Sequence, residues 1–183
     1  MKKTAQQAQT AAERRAAEQQ VRELVSKHAP AHRALVTGIR KRLRTRLPTA
    51  YEIVYDYRDC VVISVSPSEH GYEGVFAIRA SQDEVKLYFQ RGKDLSDPGE
   101  LLQGSGSQAR WILVANMATL SRKPVAALID EAIARSAGAF ETSRRGAVVI
   151  RAASPKGAAK PRPAKKTAKK VAEKKATRAK KKT

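Results

Sequence analysis

The sequence YEIVYDYRDCVVISVS, residues 51–66, is the clearest indication of the class of fold. Its first part, Tyr51 to Tyr57, alternates in the manner of a strand and carries three tyrosines on one side. Its second part, Cys60 to Val65, is a nearly continuous apolar run, which is typical of an interior strand. The middle of the chain is therefore predicted to be rich in β-structure.

Three more strands are predicted on the C-terminal side of this stretch. Val75 to Ala80 and Val85 to Phe89 flank Ser-Gln-Asp-Glu, a short connection that favours a hairpin. Asp94 to Gln108 is punctuated by one proline and three glycines, which indicates a loop. Trp111 to Asn116 is the last predicted strand.

Helices are predicted on both sides of these strands. Thr4 to His28 is rich in strong helix formers but polar all round at first, so we expect it to be exposed or frayed before Gln19. Ala31 to Leu47 places its apolar residues at steps of three and four, which puts them on one face. A third helix begins near Ser121, a suitable N-cap, and ends near Ser136.

The order helix, about five mostly consecutive strands, helix predicts an α+β fold, in which helices pack on one face of an antiparallel sheet. We divide the chain into four parts on this basis. Residues 1–29 form an N-terminal polar helical extension, residues 30–138 the α+β domain, residues 139–153 a linker and residues 154–183 a disordered tail rich in Lys, Ala and Pro.

A family resemblance covers Ala31 to Ser136, and its clearest part is VKLYFQRGKDLSDPGELLQGSGSQARWILVANMATLSRKPVAALIDEAI, residues 85–133. The features that carry it are Arg91-Gly92, Asp97-Pro98, Leu101-Leu102, Gly104-x-Gly106, Arg110 and Leu120-x-x-x-Pro124. In this combination the chain resembles the YdhG-like family, a bacterial domain of unknown function. The resemblance implies an α–β(5)–α fold and supplies no catalytic residues.

The same resemblance implies an alternative function. Some YdhG-like proteins resemble frataxins and are regarded as iron chaperones, which would place acidic residues on the first helix and the first strand. Here the helix from Ala31 to Leu47 is basic, and the nearby acids are Glu52, Asp56 and Asp59. A carrier of iron, or of a small anionic ligand, is the alternative to the function argued next.

The C-terminal segment is the clearest sequence indication of a partner. From Arg151 to Thr183 the chain has fourteen Lys and Arg residues and one acid, so this segment carries +13 of the formal charge of +20. A polycation of this kind binds phosphate backbones because binding releases condensed counterions. Its Lys-Lys repeats resemble the tails of linker histones in composition. An anionic membrane is a weaker partner, because the segment has no apolar or aromatic anchor.

The predicted partner is therefore DNA or RNA, contacted through phosphates without sequence specificity. The candidate contacts share a positive charge and lie in the tail and the basic helix: Lys165, Lys166, Lys169, Lys170, Lys174, Lys175, Arg178, Lys180, Lys181, Lys182, Arg40, Lys41 and Arg44. For the helix, a solvated face that balances the acidic segment from Glu52 to Glu100 is an equally good interpretation.

No constellation of residues predicts catalysis, a metal site or a cofactor. His28 and His32 have the spacing of two metal ligands on a helix, but Pro30 lies between them and a helix junction is the favoured interpretation. His70 and two nearby glutamates fit a solvated turn better than an ion site. Cys60, the only cysteine, fits a buried thiol and a reducing cytoplasm.

One loop has the composition of an anion site. Gly104 and Gly106 allow backbone N–H groups to turn toward an anion, and Arg91 or Arg110 would supply positive charge. A tight loop before a strand is the alternative interpretation. The tyrosines of Tyr51 to Tyr57 pose a similar choice, between a stacking surface for bases and ordinary cross-strand packing.

These observations predict a non-enzymatic bacterial binding module. It is expected to contact nucleic acid through its basic tail, with the basic helix as a second contact, in the cytoplasm and in association with the nucleoid. No apolar run approaches the length of a membrane span, so no membrane partner is expected.

Overall fold

A computed structural model describes residues 9–140 and 146–152, which belong to one compact unit, Met1–Ala153. The longer helices are α1 (Ala11–Ser26), α2 (Pro30–Arg46) and α3 (Lys123–Ser136). The strands, in chain order, are β1 (Tyr51–Asp56), β2 (Cys60–Ser66), β3 (Phe76–Ser81), β4 (Val85–Phe89), β5 (Arg110–Leu113) and β6 (Val148–Ala152). The predicted α+β class is confirmed.

The strands form one sheet in the order β5-β4-β3-β2-β1-β6. Strands β1 to β5 pair antiparallel with their sequence neighbours, as predicted. Strand β6 lies parallel to β1, where Val148 pairs with Glu52.

Strand β6 lies within residues 139–153, which the sequence analysis assigns to a linker. The apolar run from Ala147 to Ile150 is too short to predict a strand by itself. It becomes one because the edge of β1 presents unpaired backbone groups.

Helix α1 begins with a capping box that the sequence contains as Thr10-x-x-Glu13. The Thr10 hydroxyl accepts a hydrogen bond from the Glu13 amide at 3.2 Å, and the Glu13 carboxylate accepts one from the Thr10 amide at 2.8 Å. This reciprocal pairing satisfies two of the amides that a helix leaves without an internal partner.

Most described residues of α1 before Gln19 are exposed, as expected, but this part of the helix is not frayed, because Ala17 is buried and Arg14 and Glu18 are half-buried. Ala17, Val21 and Val25 are buried at steps of four along the helix. The Gln9 side chain donates to the Val148 carbonyl at 3.0 Å and accepts from the Val148 amide at 3.1 Å. The anchor of α1 is therefore β6, the strand that the sequence analysis did not identify.

The helices cover one face of the sheet. A row of directly paired residues crosses that face: Ile150, Val54, Ile63, Ile78, Leu87 and Ile112. These side chains pack in one cluster with the buried residues of α1, α2 and α3. Burying one such side chain contributes about 1.5–3 kcal/mol, so this layer is the main source of stability.

His28 lies in the junction between α1 and α2 and is 6% exposed. Within the described part of the chain, its Nδ1 atom has no hydrogen-bond partner. Burial lowers the pKa of His28, and a backbone hydrogen bond at Ser81 opposes this shift only in part. The folded protein therefore holds this imidazole in its neutral form near neutral pH.

We predict that the free energy of unfolding falls as the pH is lowered from about 7.5 to about 5. The unfolded chain binds a proton on His28 near pH 6.5, whereas the folded chain resists it, so this stability is present above that pH and is lost below it. One proton limits the effect to about 1.4 kcal/mol per pH unit. Urea unfolding followed by tryptophan fluorescence measures the slope.

The substitution H28Q should flatten this pH slope, because glutamine does not titrate. H70Q, in an exposed loop, is the matched control and should leave the slope as it is. An H28Q protein with an unchanged slope would contradict the assignment.

Candidate nucleic-acid interface

The candidate interface is built around a buried carboxylate on β1. Glu52 is 2% exposed and points to the helix-covered side of the sheet. It accepts hydrogen bonds from Arg40 Nε at 2.9 Å and Arg40 Nη2 at 2.5 Å. It also accepts from Arg44 Nε at 2.8 Å and Arg44 Nη2 at 2.6 Å. The buried negative charge is thus held by two guanidinium groups of α2.

Glu18 of α1 completes this ionic cluster. Its carboxylate accepts from Arg40 Nη2 at 3.1 Å and also from Arg44 Nη2. Burial raises the pKa of Glu18, but the charges of Arg40 and Arg44 outweigh burial and hold it below its ordinary value. Burial likewise opposes the charged form of Arg44, yet its bonds to both glutamates raise its pKa. Two carboxylates and two guanidinium groups therefore balance in charge and join α1, α2 and β1.

The cluster corrects the predicted role of Arg40 in the basic helix and gives Arg44 a second role. Arg40 is 7% exposed and directed at two carboxylates, so it does not reach a phosphate in solvent. The Arg44 side chain is 34% exposed and also serves the cluster. Lys41, the third predicted contact of this helix, is exposed.

The cations that do reach solvent beside the cluster come mostly from α1, which the sequence analysis did not consider. We call the following set the helix-pair cations: Arg14, Arg15, Arg22, Lys41 and Arg44. Arg14, Arg15 and Arg22 lie at steps of one and seven along α1, and Arg14 is half-buried. The sequence could have indicated these arginines through their positions around the helix relative to the apolar residues Ala17 and Val21.

Two surface cavities adjoin among these cations. One, of about 580 Å³, is lined by Arg14, Arg15, Arg22 and Arg44 together with Glu18 and Gly146. The second, of about 410 Å³, is lined by Arg22, Lys41 and Arg44 together with Glu18 and Thr37. Glu18, Arg22 and Arg44 line both cavities, so the two adjoin along α1 and α2, and we call the pair the groove.

The wall of this groove is set by a close backbone contact. The Arg14 guanidinium donates to the Gly146 carbonyl at 3.0 Å. Gly146 lies so close to Ala50 that a Cβ atom there would be 1.7 Å from the Ala50 carbonyl oxygen, so only glycine fits. The start of α1 is thereby fixed next to the segment that leads into β6.

The groove carries positive charge that the cluster does not neutralise. Within residues 9–140 and 146–152, neither Arg15, Arg22 nor Lys41 forms an ion pair, and Arg22 donates to the neutral Gln19 side chain at 2.8 Å. Glu18, the one carboxylate among the described residues that line the groove, is already matched by Arg40 and Arg44. Guanidinium and ammonium groups so placed are suited to the oxygens of a phosphate.

The glycine loop does not have the geometry of the predicted anion site. Arg110 Nη1 donates to the carbonyls of Gly106 at 2.7 Å and Ala109 at 2.8 Å. The loop thus turns carbonyl oxygens, which repel an anion, toward this cation. Gly104 has a φ of 110° and lies against Trp111, and Arg91 is exposed beside Gly92. The tight-loop interpretation fits these contacts.

The acids of the iron alternative are engaged elsewhere. Glu52 belongs to the ionic cluster, and Asp56 forms an ion pair with Lys27 at 3.0 Å. Asp59 is exposed at the turn after β1. In the described part of the chain, no group of three or more His, Cys, Asp and Glu side chains is placed to hold a metal ion.

The remaining predicted residues fall into two groups. The lysines and the arginine of the C-terminal segment, from Lys165 to Lys182, lie outside the described residues. His28 lies in the helix junction, the Glu73 carboxylate accepts from the Ser68 hydroxyl at 2.5 Å, and Cys60 is buried. None of these contacts assembles a nucleophile with a base.

No helix within the described ranges is both long and apolar enough to cross a membrane. Comparisons with protein-family models, curated proteins and solved structures find no match to this chain.

We predict that E52Q lowers the free energy of unfolding by about 3 kcal/mol or more. The substitution keeps the shape of the side chain but leaves the buried charge of Arg40 without its main partner. Urea unfolding of the purified variants measures the loss.

The matched control is D130N. Asp130 lies on α3, and its carboxylate pairs at the surface with Arg46 of α2, the helix that also carries Arg40. This substitution should cost less than about 1 kcal/mol. Equal losses of unfolding free energy in E52Q and D130N would show that the buried cluster contributes no more to stability than a surface ion pair does.

Proposed function

We propose that this chain is a non-enzymatic nucleic-acid-binding protein that contacts phosphates through its Lys-rich C-terminal segment and the helix-pair cations. The observation that carries the proposal is the groove, which is lined by Arg15 and Arg22 of α1 and Lys41 of α2, three cations without an ion pair among the described residues. The groove supplies positive charges at defined positions, in addition to the positive charge of the C-terminal segment.

The charge of the chain supports the same partner. The segment from Arg151 to Thr183 carries +13, and each phosphate it neutralises releases condensed counterions. Contacts to phosphates position a protein on nucleic acid but carry no sequence information. The proposed binding is therefore strong at low salt, weak at high salt and indifferent to sequence.

The family and the location belong to this proposal. The resemblance to YdhG-like domains favours a bacterial protein, and a single buried cysteine is consistent with a reducing cytoplasm. A nucleoid-associated location follows from the proposed partner.

A small anionic ligand is the second candidate, and the volume of the larger cavity favours it. About 580 Å³ is enough for a molecule of nucleotide size, and Arg14, Arg15, Arg22 and Arg44 are among the residues that line that space. Iron has less support, because Glu52 and Asp56 are already paired with cations.

We predict that salt dependence separates the two contacts on a DNA duplex. The full chain, a chain ending at Ala153 and the triple variant R15A/R22A/K41A are compared by fluorescence anisotropy over a range of salt. Each lost phosphate contact lowers the slope of log affinity against log salt by about 0.9. Removing the C-terminal segment should abolish most binding at moderate salt, and the triple variant should lose about two or three contacts.

The control for the triple variant is R122A/K123A/R135A, which removes the same charge from exposed positions at the two ends of α3. It should change the slope by less than about one contact. The proposal fails if the truncated chain and the triple variant bind the duplex as the full chain does. The small-ligand candidate gains if a free nucleotide binds the full chain while the duplex does not.

A further inference from the structure

The face of the sheet opposite the helices carries side chains that the proposed function does not use. We call it the open sheet face and define it by Tyr55, Val62, Arg79, Lys86, Tyr88 and Trp111. These residues alternate along the strands with the core row, and each is partly exposed. The apolar side chains that the helices bury belong to the cluster on the other side. Near β1 and β2 the loop before β3 covers part of the open sheet face, where Gly71 lies against Tyr55 and accepts a hydrogen bond from the Ser64 hydroxyl at 3.1 Å.

Aromatic rings lie at both ends of this face. Tyr88 of β4 pairs directly with Trp111 of β5, and the ring centroids are 6.4 Å apart. At the β1 side, Tyr55 stacks on Tyr57 with centroids 6.1 Å apart and planes at 24°. The two pairs are separated by three strand spacings, roughly 14 Å.

Basic side chains lie between the two aromatic pairs. One directly paired row runs through Tyr55, Val62, Arg79 and Lys86 across four strands. Arg79 and Lys86 both approach the Glu84 carboxylate, which offsets one of their two charges. The open sheet face therefore combines stacking surfaces with a net positive charge.

We propose that the open sheet face binds a single polynucleotide strand, with unpaired bases stacked on Tyr88 and Trp111 and phosphates near Arg79 and Lys86. The inference rests on the proposed function, and it adds that the preferred ligand has unpaired bases. A duplex hides its base faces, so it cannot use this surface. Charge complementarity selects the occupant, because basic peptides and a second copy of this basic chain are repelled.

The contact between Lys86 and Trp111 fits this role. The Lys86 ammonium nitrogen lies 3.9 Å from the centroid of the Trp111 ring. A cation on a partly exposed ring is held more weakly than a stacked base, so a base can displace it. The released ammonium then lies beside the strand, where it can meet a phosphate oxygen.

The test uses the full chain, in which Trp111 is the only tryptophan. Oligothymidylate and oligouridylate of about twelve nucleotides are compared with a DNA duplex of equal length. This length lies within the range that a single-strand-binding domain usually covers. We expect both single strands to change the emission of Trp111 at saturation and the duplex to change it far less. The thymidine and uridine arms report whether the sugar matters.

The substitution Y88L should weaken single-strand binding by about tenfold and leave duplex binding within about twofold. Y88F keeps the ring and should bind as the unaltered chain does. Tryptophan emission and urea unfolding without ligand check that both variants fold. The change in Trp111 emission is measured on the unaltered chain, so that part of the test does not depend on any substitution.

The outcomes separate this inference from the proposed function. If duplex and single strands bind equally well and Trp111 emission stays constant with both, the inference fails and the proposed function stands. Equal losses of both ligands in Y88L also overturn the inference. If neither ligand binds at low salt, the proposed function itself fails.

Discussion

A carboxylate that is almost completely buried, that of Glu52, constrains the rest of this structure. A charge removed from water must be paired and hydrogen-bonded, and Arg40 and Arg44 of α2 supply both. Their second charge is met by Glu18, which brings α1 to the same place. The cluster therefore sets how α1, α2 and β1 meet, and the groove of basic side chains lies on its outer side.

The pleat of the sheet divides the two proposed contacts. Alternate residues of each strand face the helices and form the core, and the others keep aromatic and basic groups partly exposed on the opposite side. Under the proposal, phosphates meet the helix-pair cations and bases meet Tyr88 and Trp111. Because the two surfaces lie on opposite sides of the sheet, they are separate contacts with different chemical requirements.

Elements that rest on local patterns could be predicted, and elements that rest on distant partners could not. The strands from Tyr51 to Phe89 and helix α2 follow from their periodicity, because each contains its own apolar face. Strand β6 has too short a pattern, and the start of α1 is polar. Both depend on distant partners, since β6 pairs with β1 and Gln9, just before α1, bonds to Val148. The sequence did not predict the open sheet face. It indicated only that the three tyrosines between residues 51 and 57 form either a stacking surface for bases or ordinary cross-strand packing.

Residue order alone was enough to predict the class of fold and to give the sign of the charge. Charge and periodicity are properties of residue order, so they need no folded context. Only the tertiary structure decided which cations are free. Arg40 and Lys41 are equivalent basic residues in sequence, yet one is buried against Glu52 and the other faces solvent. That difference arises because the partner of a buried charge comes from another element, and its position depends on how the elements pack.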